Sequence, residues 1–357
     1  MRSPVKSLLV ACLAVFAVAR GFATLADRPL LVLPATPAAF PLVRGSDAAR
    51  LHVAGDDWPG VQRAARDLQA DIERVTGLKP DLSTTAPAKA PLAVFIGTVG
   101  RSALIDGLVA AGKLDVTAIR GKWEAFVIET VDRPLPGVDR ALVIAGSDKR
   151  GTIYGIYEIS EQIGVSPWYW WADVPVKKSA ELHLAPGRTV VGSPAVQYRG
   201  IFLNDEAPAL TGWVYEKYGR FGREFHADLF ELMLRLRANY LWPAMWDNAF
   251  NEDDPRNARL ADEWGIVMGT SHHEPLMRAH AEWGKYGQGP WDYAKNDAVL
   301  RDFWRGSVER TKSFENIHSL GMRGDGDEAM SEETNVALLE QIVADQRTIL
   351  AREVNPE

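Results

Sequence analysis

The chain has 357 residues, 46% of them hydrophobic, and carries a formal net charge of −7. That length can bury the cores of two domains, and the mildly acidic balance excludes an extended nucleic-acid or anionic-membrane surface. Cys12 is the only cysteine and falls in a leader, which excludes disulfides and cysteine-ligated metals from a mature chain.

Residues 1–23 read as a signal peptide. Arg2 and Lys6 precede an apolar run from Leu8 to Ala19, and Ala17-Val18-Ala19 or Gly21-Phe22-Ala23 offers small residues for cleavage. The run is too short to span a membrane, and no later stretch reaches that length. Leu9-Val10-Ala11-Cys12 resembles a lipoprotein box but comes too early to displace ordinary secretion. The expected location is secreted or periplasmic.

Residues 24–186 alternate between strands and helices and are predicted to form an α+β accessory domain. Arg50–Val53, Leu92–Gly97, Ala125–Thr130 and Ala141–Ala145 are the strand candidates. Val61, Ala64, Leu68, Ile72 and Val75 make one stripe of a helix over Val61–Val75, and a second helix follows Thr152. Pro186-Gly187 and Gly192-Ser193-Pro194 punctuate a linker over residues 187–196.

From residue 197 to 357 the rhythm changes to longer βα units. Strands are predicted at Val196–Leu203, Asn239–Trp246, Gly265–Gly269 and Ile317–Met322, with helices over Phe225–Arg237 and Ala298–Thr311. The last helix is expected to be capped by Ser331, favoured by Glu332 and Glu333, and buried through Leu339, Ile342, Val343, Ile349 and Leu350. Four βα units without a nucleotide fingerprint predict an α/β fold built on a truncated (β/α)8 TIM barrel. A whole barrel needs roughly 250 residues, so the chain is expected to be an incomplete fragment whose fourth helix stops at Asn355-Pro356.

Barrel enzymes carry their chemistry at the carboxyl ends of the strands. Those ends read Asn204-Asp205-Glu206, Trp242 to Asn248, Thr270 to Glu274, and Arg323 to Glu328. Cleaving a glycosidic bond needs one carboxylic acid to protonate the leaving oxygen and one carboxylate to attack or to activate water. Asp205, Glu206, Asp325, Asp327 and Glu328 are candidates, several of them expected to be solvated loop acids, and Asp327 with Asp205 is the preferred catalytic pair.

Arg323, beside Gly324, either grips a substrate carboxylate with two parallel hydrogen bonds or pairs internally with Asp325 or Asp327. His272 and His273 are read as donors to a sugar, although neighbours on an extended segment point opposite ways and one is expected to be buried. His273-Glu274 opens like a zinc-protease motif, but Met277 stands where the second histidine belongs. Asp325-Gly326-Asp327 opens like a calcium loop and fails at Ala329 and Met330. No metal and no cofactor are expected. Ten of the twelve tryptophans lie from Trp168 onward; Trp246 is retained as a sugar platform, and Tyr169 to Trp171 are assigned to the contact between domains.

Four runs are more specific than these clusters: Arg199 to Pro208 (RGIFLNDEAP), Asn239 to Trp246 (NYLWPAMW), Gly269 to Pro275 (GTSHHEP) and Gly321 to Glu328 (GMRGDGDE). They resemble the start of the catalytic domain of glycoside hydrolase family 115, the xylan α-1,2-glucuronidases. Gly146 to Gly155 resembles the accessory domain that precedes such barrels. The resemblance implies removal of α-1,2-linked glucuronic acid, or its 4-O-methyl ether, from glucuronoxylan with inversion. It implies a pocket lined by Trp246, His272, Arg323 and Asp327, with Asn204, Asp205 and Glu206 beside them, and a general-acid glutamate beyond residue 357. The expected partner is glucuronoxylan or its oligosaccharides, with a homodimer among the assemblies open to a full-length form. A non-catalytic secreted sugar-binding protein is the competing reading; a metallohydrolase is disfavoured by the broken ligand spacings.

Overall fold

The computed structural model describes residues 29–31, 36–86, 89–330 and 335–354. The leader with Cys12, the Ser331 cap with Glu332 and Glu333, and the Asn355-Pro356 stop lie outside the described residues.

The first unit opens with β1 (Phe40–Arg44), β2 (Asp47–Ala48) and β3 (Arg50–Val53). There follow α1 (Pro59–Thr76), β4 (Leu82–Ser83), β5 (Ala90–Thr98), α2 (Ala103–Ala110), β6 (Phe126–Asp132) and β7 (Val138–Gly146). α3 (Lys149–Gln162), β8 (Leu182–Leu184) and β9 (Arg188–Val191) complete it. Pro59 starts α1, its predicted apolar stripe is buried, and Gly77 ends it at φ 81°. α3 starts three residues before Thr152 because Asp148 caps it, accepting the Gly151 amide at 2.7 Å. Gly146 lets β7 run straight into that helix: a Cβ there would lie 2.1 Å from the Thr152 nitrogen.

Six strands form one sheet in the order β4-β3-β5-β7-β6-β9, in which β3, β4, β5 and β7 are parallel and β6 alone runs against both its neighbours, β7 and β9. Val94, Ile96, Leu142 and Ile144 face α1 and α3, whereas Ala93, Phe95, Ala141 and Val143 face α2. Cover on both faces explains why β5 and β7 read as unbroken apolar runs. With parallel strands and helical crossovers, this unit is α/β rather than the expected α+β. Arg188–Val191, inside the stretch read as a linker, is a strand of that sheet, pairing Val191 with Phe126.

The second unit contains β10 (Gly200–Phe202), α4 (Ala209–Tyr218), α5 (Arg223–Arg235), β11 (Tyr240–Trp242), α6 (Phe250–Asp253), α7 (Arg256–Trp264) and β12 (Val267–Met268). α8 (Trp283–Tyr286), α9 (Tyr293–Thr311) and α10 (Val336–Glu353) follow. β10, β11 and β12 form a parallel sheet in chain order. It is an open three-stranded sheet; the described residues contain no closed barrel.

Each strand is shorter than predicted, and for three of the four the backbone bonds show why. Before β10 the carbonyls of Val196 and Gln197 accept from the Arg199 side chain. β11 stops at Pro243, which lacks an amide hydrogen, and the following amides turn onto Asp205. The fourth predicted strand, Ile317–Met322, reduces to one parallel bridge between Asn316 and Met268. Beyond it, Ser319 accepts from Leu276, and both backbone groups of Gly321 bond the buried Gln346 amide.

α10 is capped by Asn335, whose Oδ1 accepts the Leu338 amide. Its buried face is Ile342, Gln346 and Ile349, with Leu350 partly covered; Leu339 is exposed, contrary to expectation, because α9 covers only one side of the helix.

The two units share one core: Val61, Leu68, Ile153 and Tyr157 belong to the same cluster as Phe225, Leu229, Phe230 and Trp264. Polar groups cross the seam too. Arg235 bonds Asp71 at 2.8 Å, Arg63 bonds Glu231 at 2.7 Å, and Arg237 bonds Glu158 at 3.1 Å. Tyr169 donates to Glu231 and Trp171 packs against Trp213, so the expected aromatic contact between the units is present.

Candidate active site

All four polar clusters emerge on one side, after β10, β11, β12 and the bridge at Asn316. Asp205, only 2% exposed, organises the floor. Its Oδ1 accepts the amides of Met245 (2.8 Å) and Trp246 (2.9 Å). Its Oδ2 accepts the amides of Asp247 and Asn248 (both 3.1 Å) and the Asn248 side chain (2.7 Å). Burial alone would raise its pKa, but these donors stabilise the anion and hold it below the usual carboxylate range. Five donors leave no lone pair for a reacting group. In this geometry both oxygens of Asp205, expected as the second catalytic carboxylate, are taken up by the loop of residues 245–248.

What Asp205 positions is Trp246, 39% exposed. The indole nitrogen donates to Asn204 Oδ1 at 2.7 Å, and Asn204 Nδ2 donates to Glu206 at 3.3 Å. These bonds fix a partly exposed ring and leave Asn204 and Glu206 at the surface beside it.

His272 and His273 lie in a turn closed by the Glu274 amide on the Ser271 carbonyl at 3.0 Å, not on the extended segment expected, and their rings meet edge-on at 5.2 Å; one is exposed and the other buried, as expected. His272 is exposed, its Nε2 2.8 Å from Asp327 Oδ1. That bond, with the nearby Arg323 guanidinium, keeps the Asp327 carboxyl below its ordinary pKa and ionised at neutral pH. Arg323 Nη2 lies 3.2 Å from Asp327 Oδ1 and donates to the Asp327 carbonyl at 2.9 Å. The internal pairing considered for Arg323 is thus present, and it ties the guanidinium to the proposed catalytic carboxylate. His273 is 2% exposed, and neither ring nitrogen has a hydrogen-bond partner among the described residues. Burial, then the neighbouring His272 and His273's other neighbour His280, lower its pKa to about 4. It is a neutral ring packed between Trp246 (6.2 Å), His272 (5.2 Å) and His280 (6.0 Å).

Three residues not selected from the sequence complete the site. His280 Nε2 lies 2.8 Å from Asp325 Oδ1. Trp291 donates its indole hydrogen to the Arg323 carbonyl at 2.9 Å and meets the His280 ring edge-on. Glu274, 1% exposed, accepts the His280 amide at 3.1 Å. Burial, which outweighs its hydrogen bonds, pushes the Glu274 carboxyl up to about 8, and the Asp205 charge adds to the rise. Leu276 and Met277, at φ 56° and 63°, turn the chain back behind Glu274 in a left-handed conformation costly for these residues. Glu274 lies within the GTSHHEP run; nothing in the sequence marks His280 and Trp291, which reach Asp325 and Arg323 only through the fold. Among the described residues no three His, Cys, Asp or Glu side chains converge as a metal ion needs.

Behind an α/β domain, the carboxyl edge of a parallel β/α sheet thus presents carboxylates, an arginine and an oriented indole. The same fold is seen in Flavobacterium johnsoniae chitobiase (TM-score 0.55, 9% identity, 93% of this chain and 51% of that one). It is also seen in Streptomyces plicatus N-acetyl-β-hexosaminidase (0.50, 12%, 88% and 61%). The sequence model of glycosyl hydrolase family 115 matches residues 191–357, and over that span the chain belongs to this family. A solved family GH115 4-O-methyl-α-glucuronidase, BtGH115A, with specificity for decorated arabinogalactans, is similar at TM-score 0.79 and 34% identity over 89% of this chain. The chain spans 41% of that protein's length. No curated protein matches it.

Proposed function

We propose that the chain carries the uronate-binding side of an α-glucuronidase site that removes glucuronic acid or its 4-O-methyl ether, α-1,2-linked to xylose, from glucuronoxylan. The Arg323–Asp327–His272 cluster, joined to Trp246 through the His273 ring, carries this reading. Trp246 stacks on the pyranose ring, His272 donates to a sugar hydroxyl, and Arg323 meets the substrate carboxylate. Asp327, held ionised, is the carboxylate that activates water for an inverting displacement. Asp205 acts only through the loop bearing Trp246. The parallel strands β10 to β12 and the Asn316 bridge are read as opening units of a (β/α)8 barrel, and residues 1–23 as an export signal.

Decorated arabinogalactan is a second substrate reading, favoured by the similarity to BtGH115A. Release of (4-O-methyl)glucuronic acid from both polysaccharides, by the wild type and by Asp327→Asn, tests the proposal. Activity on either, lost in the variant while binding persists, supports it. Binding of the polymers with no acid released favours the sugar-binding alternative, and wild-type activity in Asp327→Asn removes Asp327 from the mechanism.

A further inference from the structure

The first domain has a cleft of its own. In open parallel sheets a ligand crevice forms outside the carboxyl ends of the strands, where the strand order reverses. Here the chain leaves β3 toward β4 on one side and returns to β5 on the other, so the reversal falls between β3 and β5. The loops leaving β3, β5 and β7 bring Trp58, Arg101 and Lys149 around a cavity of about 380 Å³. This volume is in the range of small-molecule sites.

Three cations (Arg101, Lys149 and Arg150) line it against two carboxylates (Asp148 and Glu315). The carboxylates are already satisfied. Arg150 grips Glu315 with bonds of 2.8 and 3.2 Å, and Asp148 accepts the amides of Gly151 (2.7 Å) and Glu124 (2.8 Å). Asp57, buried beneath, accepts the Trp58 amide and both the amide and hydroxyl of Thr98, each at 2.8 Å. The Arg101 guanidinium lies 3.9 Å over the Trp58 ring and has no hydrogen-bond or ion-pair partner among the described residues. The Lys149 ammonium stands 5.1 Å over the same ring; it donates to the Asp262 carbonyl, with the Asp262 carboxylate at 3.9 Å. One indole thus holds two cations at the mouth of a crevice, on a chain of net charge −7.

We propose that this crevice is a second binding site, for an oxyanion held by Arg101 and Lys149 against Trp58. A uronic-acid carboxylate on a glycan and a phosphate share this chemistry. The site does not depend on the glucuronidase reading: Arg150 ties the crevice to Gly265, ahead of β12, whereas the catalytic cluster lies past the strands' carboxyl ends.

Calorimetric titration of the Arg323→Ala protein, which lacks the uronate clamp of the other site, with sodium glucuronate, inorganic phosphate and glucose tests it. Glucuronate or phosphate is expected to bind and glucose not to. Exchanging Arg101→Ala together with Lys149→Ala is expected to weaken binding about a hundredfold, about tenfold for each charge-assisted hydrogen bond lost. Arg101→Gln, at an exposed position, gives the same direction without touching the Asp262 contact. Preference for glucuronate identifies a glycan ligand and preference for phosphate a phosphorylated one; both sustain the site. Absence of anion binding, or binding unaltered by these exchanges, overturns it.

Discussion

Nε2 of His280 lies 2.8 Å from Oδ1 of Asp325, across 45 residues of chain. The same loop is held twice more, by His272 at Asp327 (2.8 Å) and by the Trp291 indole at the Arg323 carbonyl (2.9 Å). Alternate residues of the 323–327 segment are thus tied to side chains from two other segments. A loop restrained in this way presents Arg323 and Asp327 in place before a substrate arrives, and less ordering remains to be done on binding.

Loosening one tether should therefore cost activity without unfolding the protein. His280→Ala is expected to lower kcat/KM on glucuronoxylan about tenfold, mainly through KM, with partial rescue in His280→Gln. Faster amide exchange over residues 323–328, with unchanged exchange in α9, is the accompanying signature. Unchanged loop exchange would show that the contact restrains nothing.

Asp205 supports its loop through charge as well as shape. In Asp205→Asn an amide nitrogen replaces one oxygen and faces donors instead of accepting from them. Unfolding in urea should show a loss of about 2–4 kcal/mol, as for a buried, charge-assisted hydrogen-bond cluster. The near-ultraviolet signal of Trp246 should weaken, because its amide is one of those donors.

The adjacent His273 and Glu274 bracket a pH plateau. His273, lowered from 6.5 to about 4, remains neutral in the fold while the unfolded chain takes up a proton, so stability falls as pH drops from 6.5 toward 4. Glu274, raised from 4.5 to about 8, holds a proton that the unfolded chain releases, so its contribution is whole below 4.5 and is lost as pH rises toward 8. Between 4.5 and 6.5 the two slopes oppose each other. Chemical unfolding from pH 4 to 9 should show Glu274→Gln gaining about 2–4 kcal/mol on the wild type at pH 9 relative to pH 5. A constant difference across that range would contradict the assignment.

The seam between the units depends on Arg235, whose side chain is almost wholly buried against Asp71. Asp71→Ala removes one of the two carboxylates that bond the buried Arg235 guanidinium, Glu231 remaining at 2.9 Å, and should cost about 1–3 kcal/mol in denaturant unfolding. Asp71→Leu combined with Arg235→Leu should recover most of that loss. Because the core is shared, both variants should unfold in one transition; separate transitions for the two units would show that the seam is dispensable.

Periodicity and loop chemistry, both local, were legible in the chain. Arg50–Val53 is a strand with the bounds expected of it, the α1 stripe is buried as expected, and the polar clusters after β10, β11 and β12 converge on one side. The motifs were specific enough to indicate family 115 before any geometry. Other properties depend on where distant backbone groups find partners. The sequence marks Asp205 as a loop carboxylate, but not that four amides and a side chain from residues 245–248 close on it. Ile317–Met322 has the composition of a strand, yet after the Ile317 amide bonds Met268 its backbone turns to Leu276 and Gln346. His280 and Trp291 join the site only because the turn at Leu276 and Met277 folds their segment over Asp325 and Arg323. A sequence specifies which groups need partners, whereas the partner each one obtains is fixed by long-range packing, through hydrogen bonds that form only within about 3 Å.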